Sequence, residues 1–312
     1  MRKFLFLLLT LLVPSIAQGQ QVIRGGVSAF SDNETNRTLT ETVSVTDTSN
    51  VLFTKTLDVG VMEADDSVGN YNYQFARIGI HHNDGANNIF TVNVGAERLY
   101  SSTSGDRYQP IGYFAMGVSP TWSKTNPFGA IVYGRYAAFD EIGQYIRADI
   151  QTTSIGGVGE LYYHQKLWIQ GIADETFLSD NNERFTADVT VRRFTTSGFF
   201  YGARGYYRTY KFDAGTLYWS PEQYGQLVGQ VGYKFPWDNQ NWNGNVTLSA
   251  GEQKVDSFDA NFMGSAVADI SRRVSPKVWI RGWGGYSNGN AIAGNDDGYR
   301  SWSAGLGVRV AR

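Results

Sequence analysis

Residues 302–311 read Trp302-Ser303-Ala304-Gly305-Leu306-Gly307-Val308-Arg309-Val310-Ala311. Read at every second position, one set is Trp302, Ala304, Leu306, Val308 and Val310, and the other is Ser303, Gly305, Gly307, Arg309 and Ala311. Side chains of a strand alternate between its two faces, so this stretch is a strand with one apolar face and one face of Gly, Ser and Arg. The pattern recurs upstream. At 245–250, Asn245, Thr247 and Ser249 alternate with Val246, Leu248 and Ala250. At 145–151, Tyr145, Arg147, Asp149 and Gln151 alternate with Ile146, Ala148 and Ile150. Phe200, Gly202, Arg204, Tyr206 and Arg208 share a face by the same rule. Sustained helical periodicity is hard to find.

Between these runs lie turn clusters, among them Asn83-Asp84-Gly85, Ser104-Gly105-Asp106, Asn288-Gly289-Asn290 and Asp296-Asp297-Gly298. Beyond Pro14, each Pro (110, 120, 127, 221, 236, 276) can sit at a strand end or in a loop, as a residue without an N–H requires. Counting runs between turn signals predicts about sixteen strands, within roughly 14 to 18. No linker or shift in composition divides the 312 residues, so residues 20–312 read as one all-β domain.

Alternation alone suits a soluble sandwich or a membrane barrel, and the polarity of the faces decides between them. A sandwich rarely points Gly, Arg and Asp repeatedly from the face opposite its core. Here those residues share faces, while apolar faces end in aromatics: Tyr162-Tyr163, Phe199-Phe200-Tyr201, Tyr206-Tyr207, Trp237 and Trp242. A sheet in lipid must pair every backbone group and therefore close. An apolar outside, a wet inside and aromatic girdles predict a transmembrane antiparallel β-barrel.

The first residues read as an export signal rather than structure. Arg2 and Lys3 precede an apolar run from Phe4 to Val13 broken only by Thr10, then Pro14-Ser15 and the small-residue site Ala17-Gln18-Gly19. The run is short of the roughly 18 residues that cross a bilayer as a helix. Residues 1–19 are therefore expected to be a signal peptide cleaved after Gly19, and the bacterial outer membrane is the expected location.

Chemistry is narrowed by what the chain contains. Cys is absent, which excludes disulfides, zinc–thiolate sites and thiol nucleophiles. A formal charge of −2 argues against nucleic acid as a partner. His81 and His82 are adjacent, so in a strand they face opposite sides and make a poor metal pair; His164 stands alone. No Gly-x-Ser-x-Gly elbow, phosphate loop or dinucleotide fingerprint occurs, so neither catalysis nor a cofactor is expected. Asn33-Glu34-Thr35 and Asn36-Arg37-Thr38 match a glycosylation pattern but read as polar turns in a bacterial barrel.

The strongest local feature is Leu217-Tyr218-Trp219-Ser220-Pro221-Glu222-Gln223-Tyr224, read as a strand end, a Pro that stops the ladder, and a return strand starting at Tyr224. Tyr218-Trp219-Ser220-Pro221-Glu222-Gln223-Tyr224 resembles the Tyr-Phe-Ser-Pro-Gln-x-Tyr turn in the C-terminal barrel of cellulose synthase operon protein C and of YaiO-like exopolysaccharide export porins. Downstream, Arg273-Val274-Ser275-Pro276-Lys277-Val278-Trp279 is similar to that family's Arg-Leu-Ser-Pro-x-Trp, with one extra residue before the Trp. The resemblance covers about the last 100 residues. Long members of the family carry a periplasmic superhelix of tetratricopeptide repeats, and no such helical pattern occurs here, so any such scaffold would be a separate periplasmic protein.

The resemblance implies passive export of a polysaccharide through a polar lumen, with outer-membrane lipid around the barrel. Lumen-facing candidates are Arg147, Asp149, Arg192, Arg204, Tyr206, Arg208, Gln226 and Gln230; the turn motif is carried by Tyr218, Ser220, Pro221, Gln223 and Tyr224. Two other readings suit the same pattern: a general diffusion porin or structural barrel, and an outer-membrane enzyme acting on lipid or polysaccharide. Cell fractionation tests the reading. The protein should sediment with the outer membrane, shift on gels when boiled and begin at Gln20; recovery as a soluble periplasmic protein would overturn it.

Overall fold

The computed structural model describes residues 21–32, 36–50, 52–65, 69–84, 88–101, 105–118, 127–138, 150–164, 166–215, 220–236, 241–289 and 300–311. Sixteen strands follow one another. They are β1 (Gln21–Asp32), β2 (Arg37–Asp47), β3 (Phe53–Asp65), β4 (Asn70–Asn83), β5 (Asn88–Ser101), β6 (Gly105–Val118), β7 (Phe128–Ala138) and β8 (Gln151–Tyr163). Then come β9 (Leu167–Leu178), β10 (Glu183–Phe194), β11 (Phe199–Tyr210), β12 (Tyr224–Pro236), β13 (Trp242–Val255), β14 (Asn261–Ser275), β15 (Val278–Ser287) and β16 (Ser301–Ala311). Each pairs antiparallel with its neighbour in sequence, and β1 pairs with β16, so the sheet is a closed barrel. Closure runs unbroken from Val22 opposite Ala311 to Asp32 opposite Ser301. The strands span 10 to 15 residues, the length a tilted strand needs to cross hydrocarbon.

Because the strands alternate in direction, Gln21 and Ala311 share one end of the barrel, the terminal end. The connections 139–150, 211–223 and 288–300 are all at the opposite, far end, whereas 164–166, 195–198 and 276–277 close hairpins at the terminal end. Outer-membrane barrels keep short turns on the periplasmic side and long loops outside, which makes the terminal end periplasmic.

Register assigns every side chain to a face, since residues directly opposite in a ladder point the same way. The outward set is mostly apolar through the middle of the wall: Ile78, Val94, Val132, Ile155, Val189, Leu227, Leu248 and Leu306 all stand exposed, with Glu41, Glu175 and Glu252 interspersed opposite Val27, Ile155 and Leu227. Exposed aromatics gather in two belts. Phe90, Phe128, Tyr163, Phe199, Tyr201 and Tyr233 lie toward the terminal end; Tyr100, Tyr108, Phe177, Tyr207, Phe262, Tyr286 and Trp302 lie toward the far end. Such rings prefer the bilayer interface, with one edge wet and the body in lipid.

Four readings of the sequence are refined. Pro110 lies within β6, opposite Ala96, rather than at a strand end or in a loop. In the aromatic clusters, Tyr207, Phe199 and Tyr201 face outward, but Phe200 and Tyr206 point into the lumen, as alternation within a strand demands. The strand before the Ser-Pro turn ends at Tyr210 rather than near Leu217, and a loop of 211–223 follows. At the described end of 145–151, Ile150 is 2% exposed and outside any strand, and β8 opens at Gln151. Arg147, Asp149, Tyr218, Trp237 and residues 1–20 lie outside the described residues.

Thr247 and Leu248 are neighbours on β13 that face opposite ways: Thr247 pairs with Gly232 and Val267 on the inner wall, and Leu248 is 51% exposed on the outer one. Leu248→Arg should cost about 2–4 kcal/mol of membrane stability and lower the yield of heat-modifiable barrel, whereas Thr247→Arg should assemble normally. Normal insertion of Leu248→Arg with failure of Thr247→Arg would show the faces to be reversed.

Candidate functional site

A sixteen-stranded closed sheet encloses a water-filled channel, so the functional surface is the inner wall. Its chemistry is set by the inward members of each strand. On β9–β12, Arg184, Arg192, Arg204, Arg208 and Lys234 face inward against Asp174 and Asp188. This stretch of wall is therefore basic.

The arginines of this wall lie on aromatic rings. Arg192 has its guanidinium carbon 5.2 Å from the Trp168 ring centre and 5.0 Å from that of Phe200. Arg204 and Arg208 approach the Tyr206 ring at 5.7 and 5.6 Å. Cations at this range are held by the negative face of the ring. Arg204 also makes a fork with Asp188, its Nε donating to Oδ2 at 2.9 Å and Oδ1 at 3.1 Å. Arg192 donates from Nε to Gln230 Oε1 at 3.0 Å, and Gln230 donates onward to Ser249 Oγ at 3.4 Å. Below Tyr206, Tyr224 is 1% exposed; its hydroxyl donates to Gln253 Oε1 at 3.0 Å and accepts from Gln226 Nε2. Gly202, opposite Arg192 and Gln230, lies close against β10, where a Cβ would strike the carbonyl oxygen of Val191.

The wall continues around β3–β7. Arg77 donates to Asp58 at 2.9 Å, and Glu97, 1% exposed, accepts from the Tyr73 hydroxyl at 2.7 Å and from Gln109 Nε2. Ion pairs of this kind beside water contribute little to stability, and their effect is to fix where the charges point. His81 also faces inward and meets Thr91 Oγ1 at 2.7 Å, while His82 stacks at 4.4 Å on Phe53, so the two imidazoles are parted as expected of adjacent strand residues.

The six described lumen candidates share one inner wall: Arg204 and Arg208 lie on Tyr206, which stands opposite Gln226, and Arg192 bonds to Gln230. The turn motif has a different part. Ser220 is 2% exposed; its Oγ accepts from the Ala214 N–H at 2.6 Å and donates to Asp213 Oδ1 at 3.3 Å. The Gln223 N–H donates to Asp256 Oδ1 at 2.6 Å, tying this loop to the next one at the far end. Ser220, Pro221 and Gln223 are thus loop architecture, and among the described residues of the motif Tyr224 is the one that reaches the lumen. Sequence reasoning did not single out Asp188 and Trp168, nor the inward residues Arg24, Arg281 and Trp283. Arg309 was visible on the polar face of the closing strand; Arg24 and Arg281 had no such neighbour to mark them.

The structure is similar to one described as a bacterial polysaccharide outer membrane secretin, with a TM-score of 0.73 and 10% identity over 94% of this chain and 98% of that one. It is also similar to CdiB from Acinetobacter baumannii, with a TM-score of 0.54 and 10% identity over 95% of this chain and 60% of that one. OccK7 (OpdD) from Pseudomonas aeruginosa aligns with a TM-score of 0.47 and 10% identity, over 94% of this chain and 98% of that one. No family model matches the sequence, and no curated protein is similar to it at a significant level. At 10% identity the likeness is one of fold. A closed antiparallel barrel of sixteen strands with a mostly apolar outer face, similar in fold to a structure described as an outer membrane secretin, is a bacterial outer-membrane protein.

The basic wall on β9–β12 has an electrical consequence. In planar bilayers the purified barrel should conduct anions in preference to cations. Combining Arg192→Gln, Arg204→Gln and Arg208→Gln should lower that preference. The change should be larger in about 0.1 M salt, where screening extends about 10 Å, than in about 1 M salt, where it falls to about 3 Å. An unchanged preference would show that this wall does not line the conducting path.

Proposed function

We propose that the chain is a passive exporter of a polysaccharide across the outer membrane. The observation that carries this reading is the layered inner wall on β9–β12, where guanidinium, amide and hydroxyl groups alternate with aromatic rings. A sugar chain offers hydroxyls around its edge and C–H groups on its faces. The polar groups exchange hydrogen bonds with the hydroxyls as water does, and the rings offer an apolar surface along which the chain slides. The similarity in fold to a protein described as a polysaccharide outer membrane secretin supports the same reading.

Nothing in the sequence binds a nucleotide, so the driving force comes from polymer synthesis elsewhere. The polysaccharide in transit is one partner, the surrounding outer-membrane lipid another, and a separate periplasmic scaffold would deliver the chain to the terminal end. Deleting the gene while leaving the synthesis machinery in place should remove the polymer from the cell surface and leave it in the periplasm. Normal export of every surface polysaccharide in the deletion strain would favour a general diffusion porin, which the same closed barrel also serves.

A further inference from the structure

A second part of the inner wall lies where the barrel closes, on β14, β15, β16, β1 and β2. There a recess of about 440 Å³ is bordered by Arg24, Arg281, Arg309, Trp279 and Trp283, with the hydroxyls of Thr42, Ser44 and Ser271 beside them. Arg24 stands directly opposite Arg309 in the β1–β16 ladder, and Arg309 directly opposite Trp279 in the β15–β16 ladder. Arg273 joins them from β14: its guanidinium carbon is 5.3 Å from the Trp279 ring centre and that of Arg309 is 4.9 Å. Arg281 lies 5.6 Å from the Trp283 ring centre and is paired to Asp269 at 2.6 Å.

The charge balance of this recess is unusual. Like charges directly opposed across a ladder repel. Among the described residues, Arg24 has no hydrogen-bond or ion-pair partner, and Arg309 is held only by the Trp279 ring. Asp269, the acid in contact here, is taken by Arg281. The floor is free of side chains where Gly26 faces Gly307, and Gly305 admits the ring of Trp283, since a Cβ there would strike it. The result is a dent holding unneutralised guanidinium groups beside an indole, within the first few residues of the terminal end.

We propose that this recess is a binding subsite for acidic sugar residues, which a polymer arriving from the periplasm meets at the start of the channel. The carboxylate, sulfate or phosphate substituent engages Arg24 and Arg309, the hydroxyls meet Thr42, Ser44 and Ser271, and a C–H face packs against Trp283. The inference rests on the export reading and narrows it to an anionic polymer. A neutral glucan meets the opposed arginines only through hydroxyl hydrogen bonds, without the stronger charge-assisted pairing, while a free anion leaves the indole without a role.

The test measures binding to the purified full-length barrel in detergent, using oligogalacturonate, a neutral cello-oligosaccharide and inorganic phosphate as probes. Oligogalacturonate should bind and quench tryptophan fluorescence, and the other two should bind at least about tenfold more weakly. Arg24→Gln combined with Arg309→Gln should weaken it about tenfold or more, a loss of about 1.4 kcal/mol. Arg24→Lys with Arg309→Lys should recover part of the affinity, and Trp283→Leu should weaken oligogalacturonate but not phosphate. Heat-modifiability on gels confirms that each variant is folded. In bilayers, oligogalacturonate added from the terminal side should block current through the wild type at lower concentration than through the double Gln variant. Equal affinity for neutral and acidic oligosaccharides, or phosphate binding as tightly as oligogalacturonate with Trp283→Leu silent, would overturn the subsite. Were the subsite overturned while deletion still removed surface polymer, export would stand; acidic preference in a barrel whose deletion leaves export intact would keep the subsite and end the export reading.

Discussion

Within hydrocarbon, a backbone N–H or C=O that lacks a partner costs several kcal/mol, and a sheet has two edges full of them. The pairing of β1 with β16 removes both edges at once, through eleven consecutive residue pairs from Val22–Ala311 to Asp32–Ser301. Everything else follows from that closure. Once the sheet is a ring, the period of two that any strand carries becomes a division between lipid and water. Leu306 and Val308 are then outside because Gly305, Gly307 and Arg309 are inside.

Closure also explains how the ends are built. The outward wall is mostly apolar, and its two rims carry the aromatics that tolerate both phases. At both ends, polar side chains replace the ladder where the strands stop. Asp32 accepts from the Asn36 N–H at 2.9 Å, Asp84 from the Asn88 N–H at 3.0 Å, and Asp256 from the Gln223 N–H at 2.6 Å. The Asp84–Asn88 pair does the same work at the terminal end that Asp32–Asn36 does at the far end. These bonds lock hairpins that would otherwise fray, and they leave the inner wall to the strands alone.

The architecture was legible because period two survives in a barrel without interference from packing against another layer. Residues 245–250 and 302–311 took the faces their alternation predicted, and six named lumen residues fell on one wall. Other features were not legible for physical reasons. A single strand does not say which strand lies beside it, so Asp188 as the partner of Arg204 and Trp168 as the ring under Arg192 required the register of β9–β11. The resemblance around Ser220-Pro221 drew attention to a turn whose described residues mostly hold loops together, because motifs mark hard-to-build backbone as readily as they mark function. Ile150 misled because its alternation continued into a segment that is not strand at its described end.

Net charge concealed the most consequential property. A formal charge of −2 describes a chain with nearly balanced ions, yet the barrel distributes them unevenly between its faces. Arginines concentrate on the inward faces of β9–β12 and again beside the closure, while acids such as Glu41, Glu63, Glu175 and Glu252 fall on outward positions and Asp213 and Asp256 in far-end loops. Charges on opposite faces of one wall act unequally on a solute in the channel, because the solute meets the inner set directly and the outer set only across the wall. The quantity that describes the lumen is therefore the charge of one face, and summing over the whole sequence averages it away.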